Sequence, residues 1–156
     1  MKTLDNEFIS MYQDMCMMHG MDRALGSIVG ILYIEPEPVA MEYIVKKTGY
    51  SLASISNKVK MLEQIGMISK THKPGTKKIY LSVDKDMSKT MIGMLTKKLA
   101  ALNMVTSSIP EMLGKYKKKA KTEKDKKKVA LVENYYKQIS QFEEIITKIL
   151  QKIEKR

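Results

Sequence analysis

The sequence predicts a mainly α-helical protein with one small β-hairpin. Over most of the chain the apolar residues recur every three or four positions, which is the period of an amphipathic helix. Between residues 66 and 83 the period changes to two, and a Pro-Gly pair divides this stretch, which indicates two antiparallel strands. With 156 residues, of which 44% are hydrophobic, the chain is long enough to form a core without disulfides.

The first two helices are predicted from apolar spacing and from the residues that end them. Residues 3–18 place their apolar side chains on one helical face, and Gly20 ends this helix. Asp22 is a suitable N-cap for a second helix, and Pro36 prevents that helix from continuing much beyond residue 34. Because the second helix is apolar on nearly every side, we expect it to be buried.

A helix-turn-helix is predicted next. Residues 39–48 form a short helix, Gly49 permits a tight turn, and Ser51 is the N-cap of a second helix that reaches Gln64. Gly66 lies where helices commonly end in a left-handed residue, and the basic hairpin follows as a wing. The apolar face of the second helix is predicted to consist of Leu52, Ile55, Val59 and Leu62.

From Asp84 onward the pattern is helical again. A long helix is predicted through residue 109, with a kink at Pro110. Residues 115–128 lack apolar anchors and are predicted to form a helix end and a loop, and a last helix covers residues 129–154. The apolar residues of this last helix follow a heptad spacing with one interruption, which suits packing against another helix.

Positive charge is concentrated in two short segments. The chain has 28 Lys and Arg against 17 Asp and Glu, a net charge of +11. Residues 46–78 contain eight basic residues and one acidic residue, and residues 115–128 contain nine lysines and two acidic residues. Such segregation favours a polyanionic partner. For residues 115–128, an additional polyanion contact and a solvated connection between helices both stay open.

The second helix of the pair and the hairpin have the chemistry of a DNA-binding surface. A helix fits into the major groove, where Asn and Gln pair with adenine and Lys contacts guanine or phosphate, whereas wing lysines contact phosphates. A merely solvated face is the alternative, but the glycine turn, the capped helix and the basic hairpin occur together in the order of a winged helix. The residues predicted to contact DNA are Ser51, Ala53, Ser54, Ser56, Asn57, Lys58, Lys60 and Gln64 on the helix, and Lys70, His72, Lys73, Lys77 and Lys78 in the wing.

These same segments resemble the MarR superfamily, and the wing is most similar to its GbsR-type branch. The resemblance covers about residues 20–85 and is carried by the serine-rich helix start at Ser51, the Leu-Glu-x-x-Gly-x-Ile end and the Gly-x-Lys-Lys-x-Tyr wing. The usual wing has an Asp-x-Arg pair, where this chain has Gly75-Thr76-Lys77-Lys78. The resemblance therefore does not extend to the arginine that usually inserts into the minor groove, because lysine lacks the planar guanidinium fork.

The resemblance implies a homodimeric transcriptional regulator, expected to be a repressor, that binds a pseudopalindromic operator. It divides the chain into an N-terminal dimerisation helix (1–20), a winged helix-turn-helix (21–83) and a C-terminal helical dimerisation region (84–156). Many relatives respond to small molecules, so an effector stays open. A cytoplasmic location without membrane contact is expected, because the start lacks an apolar core of signal-peptide length and no apolar run approaches a membrane span.

The sequence predicts no enzyme, no cofactor and no metal site. It contains neither a phosphate-binding glycine loop nor a nucleophile elbow, and its two histidines, His19 and His72, are far apart in sequence. Cys16 is the single cysteine, and core packing is favoured over a redox role for it. The alternative function is a nonspecific architectural DNA-binding or membrane-surface protein that uses its lysine runs without sequence preference.

Overall fold

The computed structural model describes residues 3–155, most of which are helical. The strands form one small antiparallel sheet, so the predicted mainly α class with a small β element is confirmed. The chain divides into two compact units at Met94 and Leu95, and we call residues 3–94 the N-terminal unit and residues 95–155 the C-terminal unit. The outermost residues of the predicted end segments, 1, 2 and 156, lie outside the described residues.

Four helices of the N-terminal unit begin and end close to the predicted positions. Asp22 and Ser51 are N-caps as predicted, since their side chains accept hydrogen bonds from the backbone N–H groups of Ala24 (2.7 Å) and Ser54 (3.2 Å). Gly49 has a φ of 75° and therefore permits the turn between the third and fourth helices. The helices are α1 (Leu4–Met18), α2 (Arg23–Ile34), α3 (Met41–Thr48) and α4 (Leu52–Gln64).

Helices α1 and α2 pack backbone against backbone. A Cβ atom added at Gly26 would lie 2.4 Å from the carbonyl oxygen of Tyr12, and one added at Gly30 would lie 2.9 Å from the Cα atom of Ile9. The two glycines are one helical turn apart, so together they form the groove of α2 that receives α1. This close approach also buries the Cys16 side chain, which is 3% exposed.

Helix α2 is the centre of the N-terminal core. Every residue from Ala24 to Leu32 is buried, as predicted for a helix that is apolar on nearly all sides. The other buried side chains of this core come from α1, α3, α4 and residues 66–83, and they include Ile44, Ile55, Val59, Ile68 and Leu81. Helix α4 is therefore fixed by its apolar side, and its polar side is left on the surface.

The sheet has three strands, one more than the sequence predicts. Residues 39 and 40 were predicted as the start of a helix and instead form β1 (Val39–Ala40). They pair antiparallel with β3, with Val39 opposite Leu81. Two residues are too few to show a periodicity of two, and the hydrogen bonds that fix β1 come from a strand 40 residues later in the chain. The hairpin strands are β2 (Ser69–His72) and β3 (Ile79–Ser82), and the order is β1-β3-β2.

Two lysines of the N-terminal unit satisfy groups at the end of α2. The Nζ atom of Lys85 donates to the backbone oxygens of Leu32 (2.5 Å), Tyr33 (2.8 Å) and Glu35 (2.7 Å). A cation is favourable there because the carbonyl end of a helix carries partial negative charge. Nearby, Lys47 donates to the Glu35 carboxylate at 3.0 Å, which links α3 to the end of α2.

The helices after the sheet break where the sequence predicts continuity. The predicted kink at Pro110 is wrong, because α5 (Met87–Thr106) ends before it and Pro110 lies in the first turn of α6 (Ile109–Lys117). Proline is well tolerated there, since the first N–H groups of a helix have no partner within that helix. The loop predicted within residues 115–128 is also shorter than expected, because α7 (Glu123–Glu154) already begins after Thr122, whose side chain caps it.

Helix α7 carries two apolar rows. The row predicted from the heptad spacing lies inward in the C-terminal unit, where Ile139 and Ile146 are buried. A second apolar row lies on the surface. From Tyr135 onward, its members follow one another at intervals of seven, three and four residues. Its exposed members are Leu131, Tyr135, Phe142, Ile145 and Ile149.

Helix α1 has a comparable exposed row. Phe8, Tyr12 and Cys16 face the core, and the ring of Tyr12 stacks on that of Tyr33 with centroids 5.5 Å apart. Of the apolar face predicted from the sequence, Phe8 contacts the core and the other members are exposed, because the covered side of the helix is the neighbouring one, which carries Tyr12 and Cys16. The exposed members of the predicted face are Leu4, Met11, Met15 and Met18.

Candidate nucleic-acid interface

The orientation of α4 is fixed by an ion pair as well as by the core. The Nζ atom of Lys58 lies 3.0 Å from the Asp22 carboxylate, at the start of α2. It also donates to the hydroxyl of Ser54 at 3.3 Å. The pKa of Asp22 is lowered by the hydrogen bond from the backbone N–H of Ala24 and by the one from Lys58. Lys58 was predicted as a DNA contact, and the structure places its ammonium group in an intramolecular ion pair.

The remaining predicted residues of α4 lie on one surface. Ser51 is the N-cap, and the half-buried Ser54 supplies a backbone N–H to that cap. The single acidic residue of the helix, Glu63, is half-buried and its carboxylate lies 2.5 Å from the Nζ atom of Lys70. The outer face of α4 therefore presents small, amide and cationic groups. Its exposed predicted residues are Ala53, Ser56, Asn57, Lys60 and Gln64.

The wing is an ordered hairpin with a tight turn. The backbone N–H of Thr76 donates to the carbonyl oxygen of Lys73 at 3.3 Å, and Gly75 has a φ of 78°. Proline followed by glycine at the two central positions suits a type II turn, in which the second central residue requires positive φ. The turn holds the exposed residues His72, Lys73, Lys77 and Lys78 at the end of the hairpin.

Two wing lysines are already engaged with side chains of the protein. Lys70 was predicted to contact phosphate, but it is half-buried and holds Glu63 at the end of α4. The Nζ atom of Lys73 lies 4.3 Å from the centroid of the Tyr80 ring, a cation–π contact that leaves its charge at the surface. The Glu63–Lys70 pair therefore joins the helix to the wing, so the two surfaces keep a fixed relative position.

One residue of α4 was assigned to the wrong side by the sequence. Leu52 was predicted to face the core with Ile55, but its side chain is 55% exposed. It is the first residue of α4 and lies beyond the edge of the core, although its spacing matches the buried row. Tyr50, in the preceding turn, is also exposed. The position of Leu52 at the helix start was the only sequence signal for this exposure.

Neither a metal centre nor a membrane span is found in the part of the chain that the structure describes. Within residues 3–155, no three side chains among His, Cys, Asp and Glu are grouped closely enough to hold a metal ion. In the same residues, every helix is too short or too polar to cross a bilayer.

Comparisons with known proteins give a likeness in structure but none in sequence. No family model matches the chain, and no curated protein matches it. A solved structure described as the crystal structure of a transcriptional regulator superposes with a TM-score of 0.78. It is 16% identical in sequence, and the match covers 97% of this chain and 99% of the other. At this identity the likeness shows a shared fold, and it includes the long helices as well as the sheet.

Proposed function

We propose that this chain is a sequence-specific regulator of transcription that binds duplex DNA. The observation that carries the proposal is the acid-free outer face of α4, held beside a lysine-rich wing by the Glu63–Lys70 and Lys58–Asp22 ion pairs. The structural neighbour described as a transcriptional regulator supports it through the shared fold. The proposal includes the cytoplasmic location that the sequence predicts.

In this proposal α4 enters the major groove and the wing contacts the backbone. Asn57 and Gln64 can each donate and accept a hydrogen bond with adenine, and Lys60 can donate to guanine. Ala53 and Ser56 are small enough to let the helix approach the base edges. Lys77 and Lys78, with Lys73, contact phosphates, which set the position of the protein without specifying sequence. Lys58 and Lys70 orient these surfaces through their ion pairs.

We also propose that the regulator is a homodimer that binds a pseudopalindromic operator and acts as a repressor. The exposed apolar rows of α1 and α7 support dimerisation, because contiguous apolar surface on a soluble protein usually marks an interaction site. The second row of α7, centred on Phe142, has the spacing with which two helices pack along their length. A two-fold dimer would present two α4 helices and would therefore match a DNA site with two-fold symmetry.

The experiment for DNA binding begins with selection from randomised duplexes. The wild-type protein should enrich one motif and bind it at least about a thousandfold more tightly than a scrambled duplex at the same salt concentration. Asn57→Ala should weaken binding to the selected duplex by about 1–3 kcal/mol and leave scrambled DNA unaffected. Equal affinity for selected and scrambled duplexes would instead support the architectural alternative.

The wing is tested by the salt dependence of binding. Each phosphate contact that is lost should reduce the slope of log K against log salt by about 0.9, so the double variant Lys77→Ala/Lys78→Ala should reduce it by about 1.8 per protomer. Lys89→Ala is the matched control, because Lys89 is exposed on α5 within the same unit. The control removes one charge, so a reduction of its slope by about 0.9, the same change for each charge removed, would show that only total charge matters and would contradict the wing contact.

The dimer is tested by a substitution in the exposed row of α7. Phe142→Glu places a charge in the proposed interface and should convert dimers into monomers in sedimentation velocity measurements. Gln141→Glu adds the same charge at the adjacent exposed position and should leave the dimer intact. A dimer that persists in Phe142→Glu would locate the interface elsewhere.

A further inference from the structure

The C-terminal unit contains an apolar groove between α6 and α7 that the DNA-binding proposal does not use. Its volume is about 450 Å³, within the roughly 300–1,000 Å³ that is typical of small-molecule sites. Six of its nine lining residues are apolar, which makes it a site for a hydrocarbon or aromatic group. The apolar lining residues are Met112, Leu113, Tyr116, Ala120, Val129 and Val132.

The spacing of these residues explains why the groove is apolar. Met112, Leu113 and Tyr116 fall within one helical turn of α6, and Val129 and Val132 are three residues apart on α7, so each helix turns one apolar face to the groove. Leu113 is buried at its base. By contrast, Tyr116 is 52% exposed and Met112 is 40% exposed. These side chains are therefore exposed to water in the isolated chain, and binding of an apolar ligand that covers them would be favoured by the hydrophobic effect.

The polar residues of the groove carry a net positive charge. Lys119 and Lys128 line it together with a single carboxylate, that of Asp125. Asp125 has a structural role already, because the Thr122 hydroxyl donates to its carboxylate at 2.6 Å at the start of α7. This hydrogen bond is the main cause that lowers the pKa of Asp125, so the carboxylate is ionised at neutral pH. Two lysines and one carboxylate leave a surplus of one positive charge.

The other lysines of the 115–128 segment do not line the groove. Lys117 pairs with Glu133 and Lys126 pairs with Glu123 at 2.8 Å, which leaves both on the outer surface. Within residues 3–155, no ion-pair partner lies within 4.0 Å of Lys119 or Lys128. Lys119 and Lys128 differ from the other lysines of the segment because they border the apolar surface of the groove, where Lys128 also lowers the pKa of Asp125 through its charge.

We propose that the groove between α6 and α7 binds an amphipathic monoanion, with its apolar part between the two helices and its anionic group at Lys119 and Lys128. A neutral apolar molecule would form no ion pair with the surplus positive charge, and a cationic molecule would be repelled by it. This site lies within the C-terminal unit, and its existence does not depend on DNA binding.

The test uses three probes with the same ten-carbon chain: decanoate, decanol and decyltrimethylammonium. Titration calorimetry of the full-length protein, below the concentration at which each probe forms micelles, should show that decanoate binds at least about tenfold more tightly than the other two. The methyl resonance of Met112, assigned with Met112→Leu, should shift during the titration. The resonance of Met104, which is 78% exposed on α5 and does not line the groove, should not.

The variants separate the groove from general electrostatic attraction. Lys119→Gln/Lys128→Gln should weaken decanoate binding by about tenfold and leave decanol binding unchanged. Lys124→Gln/Lys127→Gln removes the same charge from outside the groove and should have no effect. Equal binding of all three probes, an equal loss in both double variants, or no shift of Met112 would each overturn the proposal. Displacement of decanoate by scrambled duplex DNA would also overturn it and would assign the segment to DNA instead.

Discussion

The packing of α1 on α2 makes Gly26→Ala a sharp test of the fold. The added Cβ atom would lie 2.4 Å from the carbonyl oxygen of Tyr12 and 2.6 Å from the Cα atom of Gln13, whereas ordinary contact begins near 3.4 Å. Both neighbours are backbone atoms, so no side chain can rotate away. Helix α1 must therefore shift by about 1 Å, and the core residues that it carries, including Cys16, must shift with it.

The size of the effect follows from two opposing contributions. Overpacking of this kind costs about 1–3 kcal/mol, and the upper end applies because only a whole helix can move. Alanine in place of glycine within a helix contributes about 1 kcal/mol of stabilisation, which offsets part of that cost. We expect Gly26→Ala to lower the free energy of unfolding by about 2 kcal/mol, equivalent to about 4–8 °C in Tm for a chain of this size.

Gly114→Ala is the matched control for this prediction. Gly114 lies in the helix α6, and an added Cβ atom would meet nothing within 4 Å. Only the helix-propensity contribution applies there, so this variant should gain about 0.5–1 kcal/mol. Differential scanning calorimetry and urea unfolding followed by circular dichroism measure both variants. If Gly26→Ala were as stable as the wild type, the close approach of α1 and α2 would be refuted.

Three further predictions concern buried and hydrogen-bonded groups of the N-terminal unit. Lys85→Met removes three hydrogen bonds to carbonyl oxygens at the end of α2 and should destabilise the protein by about 1–3 kcal/mol in urea unfolding. An unchanged unfolding midpoint would show that Lys85 does not stabilise the end of this helix. The hydrogen bonds from Tyr43 and Lys47 lower the pKa of Glu35, so its carboxylate stabilises the fold above its unfolded pKa and this contribution disappears as the pH falls through the folded pKa. Glu35→Gln should therefore flatten the acid side of the stability profile, and an unaltered profile would contradict this. Burial raises the pKa of the Cys16 thiol, so Ellman's reagent at pH 8 should react slowly with the folded protein and fast in denaturant, and a fast reaction without denaturant would contradict the burial.

The parts of the fold that the sequence predicts correctly are those fixed by local chemistry. Asp22 and Ser51 are N-caps because their short side chains reach backbone N–H groups two or three residues later. Gly49 has the positive φ that the turn needs. These interactions span only a few residues, so the order of residue types is sufficient to locate helices α2 to α4 and the wing turn.

The parts that the sequence missed depend on partners far away in the chain or on competing local bonds. Strand β1 exists because β3 supplies its hydrogen bonds. Helix α5 ends where the hydroxyls of Ser107 and Ser108 donate to the carbonyl oxygens of Met104 (3.1 Å) and Val105 (2.9 Å). A periodic pattern shows that one face of a helix is apolar, but it does not show which of two apolar faces will be covered, and for this reason the rows of α1 and α7 were assigned without regard to exposure.

The same limit applies to the candidate interface. From the sequence, Lys58 and Lys70 are grouped with the other basic residues of the segment, because no feature of the adjacent sequence shows that they form ion pairs within the protein. Asp22 precedes Lys58 by 36 residues and lies beside it only in the folded protein. Glu63 is nearer in sequence, but its contact with Lys70 depends on the turn of the chain between α4 and β2. The sequence therefore does not distinguish the lysines that form ion pairs within the protein, Lys58 and Lys70, from those whose ammonium groups form none among the described residues.

The ion pairs change what the net charge of +11 means for the surface of the N-terminal unit. In residues 46–78 the only acidic side chain, Glu63, is held by Lys70, and Lys58 and Lys47 are held by acidic residues from outside the segment. Lys58 and Lys70 join α4 to α2 and to the wing, whereas Lys47 joins α3 to the end of α2, so removing one of these lysines would remove a contact between elements as well as a charge. Lys60, Lys77 and Lys78 have no such role among the described residues, and their charge is therefore available to a polyanion. If the proposed DNA binding is correct, the loss of affinity in Lys58→Ala should be accompanied by a slightly lower unfolding midpoint, because the ion pair with Asp22 is lost, whereas the loss in Lys60→Ala should leave stability unchanged.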